Sequence, residues 1–160
     1  MRVLATVPTP MSDPSTSSAG APVHTLAIDG ANVHDIASFY DEINRVFMAG
    51  EDWTLGPSLD ALDDMLYGGY GALHGRAPAL VLWRHMDWAR AALGVAATRA
   101  YYLDKLAQPQ SFKPEPVRAA LARLAQGGPT YFDLVLQVFA GHPNIVLRAA
   151  PGQEHGGPPA

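Results

Sequence analysis

The sequence predicts an α/β fold, a small three-stranded parallel sheet flanked by helices, and three observations carry that prediction. Apolar runs of strand length occur at 23–28, 79–83 and 145–147. The stretches between them repeat apolar residues at helical spacing. Gly, Pro and Asn-rich breaks separate the segments, and strands joined through helices need crossovers, which makes the sheet mostly parallel. The chain has 160 residues, 48% hydrophobic and 16% charged, which suits one compact domain with short tails and all but excludes a two-domain enzyme.

The run VHTLAI at 23–28 stops at the turn pair Asp29-Gly30 and reads as a buried strand. Asp35 can cap a helix in which Ile36, Phe39, Ile43, Val46 and Phe47 share one face, with Asp41, Glu42 and Arg45 elsewhere. Residues 50–57 form a loop, after which Ser58 caps a helix over 59–67 that Gly68-Gly69 ends. Pro78 opens ALVLW at 79–83, a continuous apolar run of the kind covered on both faces. The run from Leu82 to Trp88 reads as core and strand end. Within 94–129 two helical segments, 98–106 and 116–125, flank the breaker QPQSFKP and look like an inserted helical hairpin. The segment 131–140 sets Phe132, Val135, Leu136 and Phe139 on one helical face, and Ile145-Val146-Leu147 supplies the third strand.

Composition excludes several classes of function. With no cysteine, disulfide frameworks, thiol nucleophiles and cysteine metal sites drop out. The balance of 11 basic and 15 acidic residues argues against a nucleic-acid binder. No run approaches the roughly 18 apolar residues of a membrane span, and no export signal is visible, so a soluble, cytoplasmic protein is expected. Residues 1–22 and 151–160, rich in Pro, Gly and Ser, are expected to be disordered tails. No repeat of fixed period occurs.

Charge is distributed unevenly. From Asp29 to Asp64 nine acids face Arg45 alone, whereas from Arg84 to Arg123 seven bases face three acids. Such asymmetry bears on association and steering rather than on fold. Within the acidic stretch, a turn of about 100° per residue puts Leu62, Met65 and Leu66 on one side of the second helix and Asp60, Asp63 and Asp64 on the other. Asp60, in the first turn, suits the helix dipole. Asp63 and Asp64 lie further in, beside Asp60 at i+3 and i+4, where like charges cost a few tenths of a kcal/mol per pair. A local cost of this kind points to function. Three carboxylates diverging from one helix do not make a metal site, and no cofactor is expected. A general acid and base would have to face each other across a cleft. A rigid acidic surface for a basic protein is left, with Trp53 and Leu55 before the helix and Tyr67 and Tyr70 after it as anchors. The six histidines are scattered and read as surface or hydrogen-bonded groups, and the glycines and serines match neither a phosphate loop nor a nucleophile elbow.

The stretch LDALDD at 59–64, followed by PALVLWR at 78–84 and VLQVF at 135–139, resembles the barstar family of ribonuclease inhibitors. The turn at 28–30 and the helix of 36–47 look like that family's first strand and helix. On the residues, the resemblance covers 23–86 and 131–148 and leaves the tails and the 94–129 hairpin outside, within a barstar-like domain of 23–150. It implies a protein that is not an enzyme: an inhibitor of the bacterial immunity kind, monomeric when free, that plugs the active site of a basic ribonuclease with its second helix and the loop before it. Asp60 and Asp64 match the family's two acidic contact positions on that helix. Asp63 stands where the resemblance would put a tryptophan, and Ala140-Gly141 replaces an acidic contact at the end of the later helix. The partner-binding set expected is Trp53, Leu55, Asp60, Asp63, Asp64 and Tyr70. The alternatives are a small hydrolase using the same carboxylates and an interaction module for another basic protein.

Overall fold

The structure, a computed structural model, describes residues 24–151. The expected N-terminal tail, Val23, and all of the C-terminal tail except Pro151 lie outside the described residues. Three strands, β1 (His24–Asp29), β2 (Ala79–Arg84) and β3 (Ile145–Ala150), form a parallel sheet in the order β1-β2-β3. They run in step: His24 pairs with Ala79 and Ala79 with Ile145. The helices are α1 (Ile36–Phe47), α2 (Leu59–Leu66), α3 (Met86–Ala92), α4 (Val95–Leu106), α5 (Pro114–Ala125) and α6 (Tyr131–Ala140).

Local chemistry explains the boundaries. The Asp35 carboxylate accepts from the Ser38 N–H at 2.7 Å and Ser38 Oγ accepts from the Asp35 N–H at 2.9 Å, a reciprocal cap that starts α1. Thr130 and Asp133 do the same for α6. Pro114 and Pro116 sit in the first turn of α5, where a missing N–H costs nothing, so the helix begins two residues earlier than expected. At Gly68, φ is +89° and a Cβ would lie 2.7 Å from the Leu73 carbonyl, so glycine is needed where the chain leaves α2.

Trp83 is the centre of the core. It is fully buried, stacks on Phe39 of α1 at 6.0 Å and meets Phe132 and Phe139 of α6 at 5.5 and 6.4 Å. Ala79 and Val81 point the same way, whereas Leu80 and Leu82 on the other face are half-buried and stand outside the core cluster. The apolar run of β2 therefore reflects its central position in the sheet, not cover on both faces. The run towards Trp88 is also not a strand end. His85 adopts a left-handed conformation, φ 48°, which turns the chain straight into α3. Trp88 then packs against the His85 ring at 4.8 Å.

Two polar clusters lie in or against the core. The hydroxyls of Tyr40 and Tyr131 share a hydrogen bond of 2.7 Å, and burial pushes Tyr40 up to about 12. Thr98 Oγ1, fully buried, accepts from the Tyr131 N–H at 2.7 Å and donates to the Gly94 carbonyl at 2.6 Å, fastening α4 to α6. Glu42, expected off the apolar face, is buried. It accepts from the Asp29 N–H at 2.8 Å, from Asn32 at 3.0 Å and from Arg45 at 2.8 Å. Burial alone would raise its carboxyl; the Arg45 guanidinium and the Asp29 and Asn32 donors outweigh that and hold it below the ordinary range.

Two stability measurements follow from this packing. Leu62→Ala, which empties a fully buried site, is expected to cost about 2–5 kcal/mol in urea unfolding with an unchanged slope. The lowered carboxyl of Glu42 gives stability that is present above the ordinary glutamate value near ~4.3 and lost as pH falls through its lower folded value. Glu42→Gln is thus expected to be less stable at neutral pH and to lose less on acidification than the wild type; parallel acid branches in the two urea-midpoint curves would contradict it.

Candidate protein-binding surface

The sequence of α2 positions its carboxylates by burying the opposite side. Ser58 Oγ accepts from the Ala61 N–H at 3.0 Å and starts the helix. Leu62, Met65 and Leu66 are fully buried, and α2 rests on α6. Asp60, Asp63 and Asp64 are left exposed on a short helix that cannot roll without exposing its core residues. The structure thus brings the three carboxylates to one side, as the spacing requires.

They differ in their surroundings. Asp63 Oδ1 is 2.8 Å from Nε2 of the buried His142, just after α6, and Tyr67 sets its ring edge-on to the same imidazole at 6.2 Å. Among the described residues Asp60 and Asp64 form no ion pair. The two acids one turn apart are therefore the unneutralised ones, and Asp63 is partly engaged within the chain. The Tyr70 hydroxyl is raised by burial and by the nearby Asp64 charge.

The aromatic residues beside the helix divide into two groups. Trp53 is 44% exposed and packs on Tyr70 at 4.8 Å, giving an aromatic pair next to Asp64. Tyr67 is exposed, with the Arg76 guanidinium over its ring at 4.3 Å. Leu55 is not in this surface: its side chain is buried in the core, and its backbone N–H and carbonyl bond the Asn44 side chain at 2.7 and 3.2 Å. Leu55 anchors the loop that carries Trp53. The sequence reading missed His142 and Arg76; neither has a short-range signal, since His142 is 79 positions from Asp63.

Elsewhere, His85 Nδ1 lies 2.9 Å from Asp29 Oδ1 and fastens the ends of β1 and β2. Burial would raise the Asp29 carboxyl, but the Ala31 N–H and His85 outweigh it and hold it low. Among the described residues no group of three His, Asp or Glu side chains converges where it could hold a metal ion, and no helix is long and apolar enough to cross a membrane.

No curated protein matches the chain. A family model described as Barstar (barnase inhibitor) matches residues 23–122. The match starts before β1, includes α2 and its carboxylates, and runs through α4 into α5. It thus takes in most of the hairpin that the residue-level resemblance left outside and stops short of α6 and β3, which the structure nevertheless packs against α2 and β2. With the matched span exceeding half of the chain and the three-stranded parallel sheet in place, this protein belongs to the barstar family.

Proposed function

We propose that the protein inhibits a basic ribonuclease by seating α2 over the enzyme's active site. The observation that carries this reading is a family of barnase inhibitors combined with two exposed carboxylates, Asp60 and Asp64, that form no ion pair among the described residues, on a helix fixed by its buried face. A ribonuclease must attract RNA phosphates and so lines its site with Arg, Lys and His. The carboxylates stand where phosphates would sit and pair with those cations, which blocks substrate without any chemistry. Trp53 and Tyr70 supply apolar contact beside Asp64, and Asp63 adds charge at the margin.

The electrostatics set two regimes. While the partners are apart, the acidic stretch around α2 accelerates encounter with a basic surface, and salt weakens that effect over a Debye length of about 8–10 Å. Once docked, a desolvated charge pair holds the complex, and removing one member leaves the other buried and unpaired. The first regime governs association and the second dissociation.

Residual RNA cleavage by a panel of basic microbial ribonucleases, barnase included, measured against increasing inhibitor, tests the reading. At least one enzyme is expected to be inhibited to completion near one equivalent. For that enzyme Asp64→Ala is expected to weaken the complex by about 2–5 kcal/mol, mostly through faster dissociation. Full activity across the panel, or an Asp64→Ala affinity equal to the wild type, would overturn it.

A further inference from the structure

The acidic helix does not stand alone on its side of the molecule. A groove of about 680 Å³ lies against its first turn, and the facing wall is α4. Ala97, Ala100, Tyr101 and Asp104 recur along α4 at i, i+3, i+4 and i+7, and all four line this groove. The packing of α4 on α6 uses Thr98 and also Tyr101, whose ring meets that of Tyr131 edge-on at 5.0 Å. Ala97 and Ala100 of α4 stand outside the core cluster and line the groove, while Ile36 and Leu59 supply apolar surface from the starts of α1 and α2.

The rim is acidic from three directions. Asp35 reaches it from the cap of α1, Asp60 from α2 and Asp104 from α4, against Lys105 as the only cation among the lining residues described. The Lys105 ammonium is drawn over the rings of Tyr101 at 4.5 Å and Phe112 at 4.9 Å. Asp35 is occupied in capping and Asp104 accepts from Gln108 at 3.1 Å, but Asp60 has no ion pair among the described residues. An apolar floor below a net negative rim fits a cation on an aliphatic stem, which buries its methylenes and leaves its charge at the carboxylates.

We propose that this groove is a second docking surface that takes a basic segment of the ribonuclease, an Arg or Lys flanked by apolar residues, so that the enzyme is gripped between α2 and α4. The inference rests on the inhibitor reading above. It gives α4 a role in choosing among ribonucleases: enzymes with the same active site but no such segment beside it lack the second contact. Asp60 joins the two surfaces, since it belongs to the acidic face and to the groove rim.

The test uses an inactivated form of the ribonuclease most strongly inhibited in the panel, titrated against the full-length chain. Ala100→Arg places a long cation in the groove at an exposed helical position and is expected to weaken binding by about tenfold or more. Ala122→Arg, exposed on α5 and not among the groove residues, is expected to stay within about twofold. Circular dichroism monitors folding; should Ala100→Arg unfold, Asp104→Lys reads the rim charge without filling the groove. Unchanged affinity for the folded groove variant overturns the proposal, and if Asp64→Ala still weakens the same complex, the acidic-helix reading stands without it. A weakened Ala100→Arg with an unaffected Asp64→Ala supports the groove and overturns α2 as the main contact. Failure of the whole panel to be inhibited overturns both.

Discussion

The packing around Trp83 is the constraint on which the acidic surface of α2 depends. A single indole on the central strand is held between Phe39 of α1 and Phe132 and Phe139 of α6. That arrangement fixes α6, and α6 is the support against which α2 lies. The acidic helix has only eight residues, too few to be stable in water on its own. Its carboxylates acquire a fixed direction because Leu62, Met65 and Leu66 are clamped to a core organised two elements away.

Rigidity has a specific value for a surface of like charges. Asp60 and Asp64 repel each other across one turn and would spread apart on a flexible segment. Holding them together costs little in stability at an exposed site but concentrates negative potential where a basic partner would approach. Three nearby acids are engaged within the chain: Glu42 with Arg45, Asp29 with His85 and Asp63 with His142. Among the described residues Asp60 and Asp64 of α2 keep their charge free of an ion pair on a helix whose direction is fixed.

What could be read from the sequence was what local periodicity and turn chemistry encode. The spacing of Ile36, Phe39, Ile43 and Phe47 gave α1 with its Asp35 cap, and Ser58 with Gly68 bracketed α2. The run of 79–83 gave the central strand, and the direction of Asp60, Asp63 and Asp64 followed from a turn of about 100° per residue. What escaped depends on contacts between distant residues or on one unusual dihedral. The start of α3 hinges on the left-handed backbone of His85, which no propensity anticipates. Glu42 looks like a solvent-facing residue until the turn after β1 folds over it with two N–H donors. Leu55 resembled a binding anchor because it neighbours Trp53, but the Asn44 side chain pulls its backbone inward.

The Asp63–His142 pair connects these themes. The family resemblance puts a tryptophan at the first position and an acidic contact just before the second, and this chain has neither. A tryptophan on α2 would widen the apolar contact with a partner, whereas Asp63 turns towards a buried imidazole and closes the edge of the surface from within. The same exchange moves the unneutralised charge away from the α6 side and leaves it at Asp64, beside Trp53 and Tyr70, and at Asp60, beside α4. In the proposed complex these two carboxylates, rather than Asp63, would meet the partner's cations, with Asp60 standing at the rim of the groove between α2 and α4.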